Sequence, residues 1–162
     1  MRRSAPYRNH SPGGYTLVEL VVVMAVASVL AAYIAPRLWN QQVFNDRGYA
    51  DELAAALRST QKAAVITDCP AALTLSPGGY AAAQQATLNN SCNPADTSWS
   101  TPVLSADGSS VQDTAPSETS ASPAGTFQFD GQGRLAASPG TSITVGTHTI
   151  TIDPGSGLVQ VN

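Results

Sequence analysis

The chain has 162 residues, with eight Lys and Arg against eleven Asp and Glu and a formal net charge of −3. That length suits one modest domain beside a targeting segment. Three of the basic residues, Arg2, Arg3 and Arg8, precede the first apolar run, so the remainder is clearly acidic, which excludes a broadly electropositive nucleic-acid surface.

Residues 1–14 form a basic, polar, turn-rich leader with no helical pattern, ending Ser11-Pro12-Gly13-Gly14. Beyond it, no charge occurs from Leu20 to Ala35. Together with Tyr15 to Val18 the run is long enough, at about 1.5 Å per residue, to cross a hydrocarbon core of about 30 Å. Positive charge ahead of the span predicts a cytoplasmic N-terminus and translocation of everything after it. One acid, Glu19, interrupts the run. A carboxylate one helical turn into lipid costs on the order of 3 kcal/mol, so an acid kept there needs a partner. The plain alternative is a single-span anchor whose Glu19 rests at headgroup level.

A secretory signal is cut beyond its apolar region, at a small-x-small site; here the small residues come first. The short basic leader, Gly14, the aromatic Tyr15, Thr16, and Glu19 four residues beyond Tyr15 resemble the class III signal of type IV pilins and pseudopilins. The resemblance implies that a membrane-bound prepilin peptidase cuts between Gly14 and Tyr15 on the cytoplasmic side and N-methylates Tyr15, which stands where the family most often has Phe. Such a cut leaves an α-amino group, with an ordinary pKa of about 8, at the head of an apolar helix carrying Glu19 one turn along. In a helical assembly the Tyr15 amine of one subunit can then meet the Glu19 carboxylate of its neighbour, relieving both charges and fixing the axial stagger.

Pro36 interrupts the apolar run before Arg37-Leu38-Trp39. It predicts a helix kink or local melting, because proline removes a helix hydrogen bond and clashes with the preceding turn. Trp39 and Arg37 suit a membrane interface. From Gln41 to about Asp68, Val43, Ala50, Leu53, Leu57, Ala64 and Val65 recur at helical steps with charges elsewhere, which predicts an amphipathic continuation laid against a globular head. The mixed charge on its polar face argues against a membrane-surface helix. Pro70 stops the pattern.

The rest reads as strands. Ala71–Leu75 and Gly79–Ala83 flank Ser76-Pro77-Gly78 and predict a hairpin. Cys69 and Cys92 bracket it, on the translocated side of the span, where a disulfide is the default; a redox pair or metal site is the poorer alternative, since no His or further Cys lies nearby. Residues 105–125, rich in Ser, Thr, Asp, Ala, Pro and Gly, read as a long, mobile surface loop. An unmodified solvated loop is the simpler reading there beside O-linked sugar. Thr126–Asp130, Arg134–Ala136, Ser142–Val145, Thr149–Ile152 and Leu158–Val161 alternate with turns between them, which predicts an antiparallel sheet packed on the preceding helix. The expected fold class is therefore α+β and pilin-like: a long N-terminal helix, membrane-spanning in its first half and amphipathic in its second, packed on a small antiparallel sheet. The divisions are a leader at 1–14, an assembly helix at 15–40, its amphipathic continuation at 41–68, and a β-rich head at 69–162.

Leu57 to Val65, Cys69, Tyr80, Cys92, Phe129 to Arg134, Thr149 to Ile152 and Gly157-Leu158-Val159 look like the H-type pseudopilin and FimT-like group, with the MshC-type minor pilins of MSHA pili nearest. That group implies a low-abundance subunit near a filament tip that helps to start assembly. Its expected partners are the prepilin peptidase, other pilin or pseudopilin subunits, an inner-membrane assembly platform, and membrane lipid before assembly. Its expected place is the inner membrane, single-pass, then an extracellular pilus or a periplasmic pseudopilus.

No enzyme or cofactor is expected. Past the leader the one histidine, His148, falls in a predicted solvent-facing turn, and no Ser or Cys nucleophile has a base beside it in sequence. Gly131-Gln132-Gly133 lacks the strand, helix and third glycine of a dinucleotide loop and reads as a turn. Asp130 and Asp153 are weak calcium candidates outside any dense acidic cluster, so no metal is assigned. The second function class is a recognition module at a filament tip, binding a surface, a sugar or DNA; the ending Leu158-Val159-Gln160-Val161-Asn162 has no Arg or Lys and argues against DNA.

Overall fold

The computed structural model describes residues 14–38, 41–88, 91–93 and 98–162. Two compact units are present, Met1–Asn40 and Gln41–Asn162. The first contains helix α1, Leu17–Leu38, built from Leu, Val, Met and Ala. Its backbone stays helical through Pro36 to Leu38, so the melting expected at that proline is not found there. Trp39 and Asn40 lie outside the described residues. Among the residues whose side chains are described, no helix is long and apolar enough to cross a membrane; in α1 those side chains end at Ala32.

The second unit is organised on α2, Gln41–Thr67. Tyr49, Ala50, Leu53, Ala54, Ala56, Leu57, Thr60 and Ala64 form its buried face, spaced as one side of a helix requires. Alanines on that face let sheet side chains approach closely. Two of the apolar positions expected in this stripe are not in it: Val43 and Val65 are about half exposed, at 52% and 51%. Val43 precedes the first covered turn, which begins at Asp46, and Val65 sits at the rim, where its methyl borders Gly133. The buried Thr60 hydroxyl donates to the Ala56 carbonyl at 2.8 Å, so its burial leaves no unpaired group.

Strands β1 (Ala71–Ser76) and β2 (Gly79–Gln84) form the expected hairpin, closed by Pro77-Gly78 with Ser76 opposite Gly79. Short strands β3 (Thr87–Leu88) and β4 (Ser91–Cys92) pair with each other. Then come β5 (Thr101–Pro102), β6 (Gln112–Thr114), β7 (Ala121–Ser122), β8 (Gly125–Phe129), β9 (Leu135–Ala137), β10 (Ser142–Val145), β11 (His148–Ile152) and β12 (Val159–Val161). All the described pairings are antiparallel.

The single sheet expected from the alternating segments is in fact two main sheets. One runs β5-β2-β1-β8-β9 with β6 also on β2; the other runs β12-β11-β10-β7. Ser138-Pro139-Gly140 separates β9 of the first from β10 of the second, and a proline without an N–H cannot extend the β9 ladder. Both sheets pack on α2. Their inner faces supply Leu73, Leu75, Phe127 and Phe129 from the first, and Ile143, Val145, Ile150 and Ile152 from the second, to one core with Leu53 and Leu57. The segment 105–125, expected as a loop throughout, carries β6 and β7 and buries Val111, Thr119 and Ala121. Thr119 donates to the buried Asp46 carboxylate on α2 at 2.8 Å.

Polar side chains of α2 tie both sheets to it. Arg58 donates to the β12 carbonyl of Val159 at 3.0 and 3.3 Å. Gln61 donates from one amide nitrogen to the Gly133 and Ser156 carbonyls, each at 2.9 Å, joining the β8–β9 turn to the β11–β12 turn. Gly157 is pressed into this corner at φ 68°, where a Cβ would overlap the Gly133 carbonyl and the Gln61 amide. Gly157→Ala is therefore expected to cost about 2 kcal/mol or more through strain and overlap. At Gly48, inside α2, a Cβ would meet nothing, so Gly48→Ala should instead stabilise by about 0.5–1 kcal/mol. Thermal unfolding of the two variants checks the opposite signs; a neutral Gly157→Ala would contradict the packing described.

Candidate functional site

The residues that point to a function lie at the head of α1. Thr16 caps it: the Glu19 N–H donates to the Thr16 hydroxyl at 3.2 Å, and the Leu20 N–H donates to the Thr16 carbonyl at 3.2 Å. Threonine at the cap and glutamate three residues on is the spacing of a capping box. Glu19 also sits in the first turn, where a carboxylate is favoured by the helix dipole. Thr16 was quoted in the sequence only as part of a motif; its T-x-x-E spacing is the signal that assigns it a capping role.

Every described side chain from Tyr15 to Ala32 is exposed, with Tyr15 at 85%. Tyr15, Glu19, Leu20, Val23 and Met24 line one shallow hollow along a side of the helix, so the acid and the residue expected to become the N-terminus share a face. Gly14 has no conformational or packing reason to be glycine in this fold. A Cβ there would meet nothing, and its φ lies outside the left-handed range. Its small size is therefore free to serve something outside the chain.

In the head, Cys69 and Cys92 are joined by a disulfide with Cα atoms 5.4 Å apart. The bond closes a loop of 23 residues in sequence separation around the β1–β2 hairpin and links the end of α2 to β4.

The remaining candidates are structural. Asp130 accepts from the Gln132 and Arg134 N–H groups at 3.0 and 2.8 Å and is bound by the Arg134 guanidinium at 2.8–2.9 Å, so its oxygens build the turn. Asp153 accepts from the Ser156 N–H and hydroxyl at 2.8 and 2.7 Å; these bonds hold its carboxyl below the usual range. Among the described residues, no group of three or more His, Cys, Asp or Glu side chains could hold a metal ion. His148 is not a turn residue as expected: it opens β11, is partly buried, and its Nε2 is enclosed without a hydrogen-bond partner in the structure. The two-residue turn Gly146-Thr147 is tighter than the three-residue turn read from sequence, and this draws His148 into the ladder opposite Val145.

Comparison with known families finds two matches. Residues 49–162 match the family described as Type II transport protein GspH, and residues 10–35 match the Prokaryotic N-terminal methylation motif. The second covers Gly14, Tyr15 and Glu19; the first begins inside α2 and takes in the head. No curated protein and no solved structure matches the chain.

Replacing both Cys69 and Cys92 by Ser is expected to lower the unfolding free energy by about 3 kcal/mol on the chain-entropy account. Denaturant unfolding of the full chain in detergent micelles measures it, and an unchanged midpoint would mean that the bond does not constrain the unfolded chain.

Proposed function

Because this chain belongs to the GspH family of type II transport proteins and is a pilin or pseudopilin subunit, we propose that it is a minor subunit that enters its filament through α1. The observation that carries this reading is an apolar helix exposed on every described side, headed by Gly14-Tyr15-Thr16 and holding a single acid.

In the precursor, α1 lies in the inner membrane with residues 1–14 on the cytoplasmic side and the head in the periplasm. The prepilin peptidase removes the leader after Gly14, whose missing side chain lets the enzyme approach the backbone, and methylates Tyr15. The freed amine and Glu19 then belong to one face of the same helix. A lone carboxylate in hydrocarbon costs on the order of 3 kcal/mol. Extraction by the assembly platform into a bundle of sister helices removes that cost when Glu19 meets the amine of the neighbouring subunit. The pair also selects register, since a helix displaced axially by one residue, about 1.5 Å, loses the alignment of amine and acid. Thr16 keeps the first turn wound while the adjoining peptide bond is cut.

The match of the head to the GspH family supports a low-abundance subunit near the filament tip. The acidic balance of the processed chain disfavours DNA as the tip's ligand.

Two variants separate processing from assembly. Glu19→Ala is expected to insert and be processed normally yet be depleted at least tenfold from the filament fraction, about 1.4 kcal/mol or more of lost pairing; normal incorporation, read by immunoblot of that fraction, would count against the pairing. Gly14→Leu is expected to leave the full-length precursor in the membrane; a peptidase-dependent shortening that persists in this variant would place the cut elsewhere.

A further inference from the structure

Phe44 has no part in the packing of the head. Of the three phenylalanines in the chain, Phe127 and Phe129 are fully buried in the core, whereas Phe44 is 76% exposed, the most exposed large apolar side chain described in the second unit. Val43 beside it is half exposed. Both belong to the first turn of α2, ahead of Asp46, the first buried residue of that helix.

Their place in the chain narrows what can cover them. Three steps separate Leu38, the last residue of α1, from Gln41, the first of α2. Even with those steps fully extended, and with α2 helical beyond them, Phe44 stands no more than about 15 Å from Leu38. The headgroup layer beside a hydrocarbon core is about 5–8 Å deep on each side. The inference rests on the reading of α1 as a membrane span: before assembly, Phe44 is then tethered within the periplasmic headgroups or just above them. Ile66, the other strongly exposed apolar residue of α2, lies 22 positions further on, about 33 Å along a continuous helix and beyond that tether.

Charge agrees with lipid as the occupant. From Leu38 to Asn45 there is none, and Arg37 and Arg47 bracket the segment. The one acid before Asp51, Asp46, is buried, and its Oδ1 accepts from Thr119 at 2.8 Å. Arg47 follows Val43 and Phe44 by four and three positions, on the same side of the helix. Its contact with Asp51 is long, at 3.9 Å, and both side chains are more than half exposed, so its guanidinium is available to a phosphate. A short basic segment on an otherwise acidic processed chain has an anionic surface as its complement.

We propose that the first turn of α2 is a membrane-docking element: Phe44 and Val43 settle among the headgroups of the periplasmic leaflet and Arg47 binds lipid phosphate, holding the start of the head on the bilayer until the subunit is extracted. Asp51 and Glu52, exposed one turn beyond Arg47, are repelled by an anionic surface and confine the docking to this turn.

Spin labelling of the full chain in nanodiscs of phosphatidylcholine and phosphatidylglycerol tests it. The chain has no free cysteine, so a single introduced one takes the label: Val26→Cys in α1, Val43→Cys beside an intact Phe44, or Ala55→Cys on the exposed side of α2. Collisions with oxygen, which concentrates in lipid, are expected to outnumber those with a water-soluble nickel chelate at positions 26 and 43, and the order to reverse at 55. Adding Phe44→Ser to the Val43→Cys chain should lower the docked-to-undocked ratio at position 43 about tenfold, the equivalent of half-burying one aromatic ring. Nickel preference at position 43 while position 26 stays in lipid would overturn the docking alone; nickel preference at position 26 would overturn the span, and the docking with it. Shielding of position 43 from both reagents would show that protein covers the turn, and an unchanged ratio in Phe44→Ser would show that the ring does not hold it; either result overturns the proposal.

Discussion

A helix that shows apolar side chains on every described side cannot rest in water, and this constraint governs the rest of the chain. From Tyr15 to Ala32 no side chain of α1 is buried, and Glu19 is the single charge among them. An amphipathic helix satisfies its apolar stripe within its own domain; one that is apolar all round must find lipid or other helices. The Thr16 hydroxyl fixes where the first turn begins by accepting the Glu19 backbone N–H.

The head solves a different problem with α2 as its spine. Small side chains on one face of this helix admit two sheets to a common core, and Arg58 and Gln61 fasten the sheets by binding backbone carbonyls at their turns and edges. Charge-assisted and amide hydrogen bonds of this kind satisfy strand carbonyls that have no ladder partner, which is why polar residues of the helix sit over the sheet margins. The disulfide holds the segment after the hairpin against the end of the helix.

Most of this architecture was legible from residue patterns because it depends on local rules. The hairpin at Pro77-Gly78, the strands after residue 125, the helix stop at Pro70 and the cysteine pair all lie where turn chemistry and alternation place them. What escaped depends on distant partners. Period-2 alternation marks a strand but not its neighbour, so two sheets read as one, and β7 joined β10 across more than twenty intervening positions without any signal of its own. The composition of 105–125 suggested a loop because its buried Val111 and Ala121 are isolated among polar residues. Helical spacing likewise placed Val43 and Val65 in the core, whereas the reach of the sheets decided that Asp46 and Tyr49 belong there instead. At the candidate site, the glycine, aromatic and acid were evident in sequence; the capping role of Thr16 became plain only with the hydrogen bond in view.

The central claim is that α1 exchanges lipid for sister helices, on the face shared by Tyr15 and Glu19. A photoactivatable cross-linking residue at Val23, one turn beyond Glu19 on that face, measures the exchange directly in cells with an active assembly system. The account predicts an adduct joining Val23 to the N-terminal helix of another subunit in the filament fraction. Adducts to lipid alone, with the filament forming normally, would contradict it.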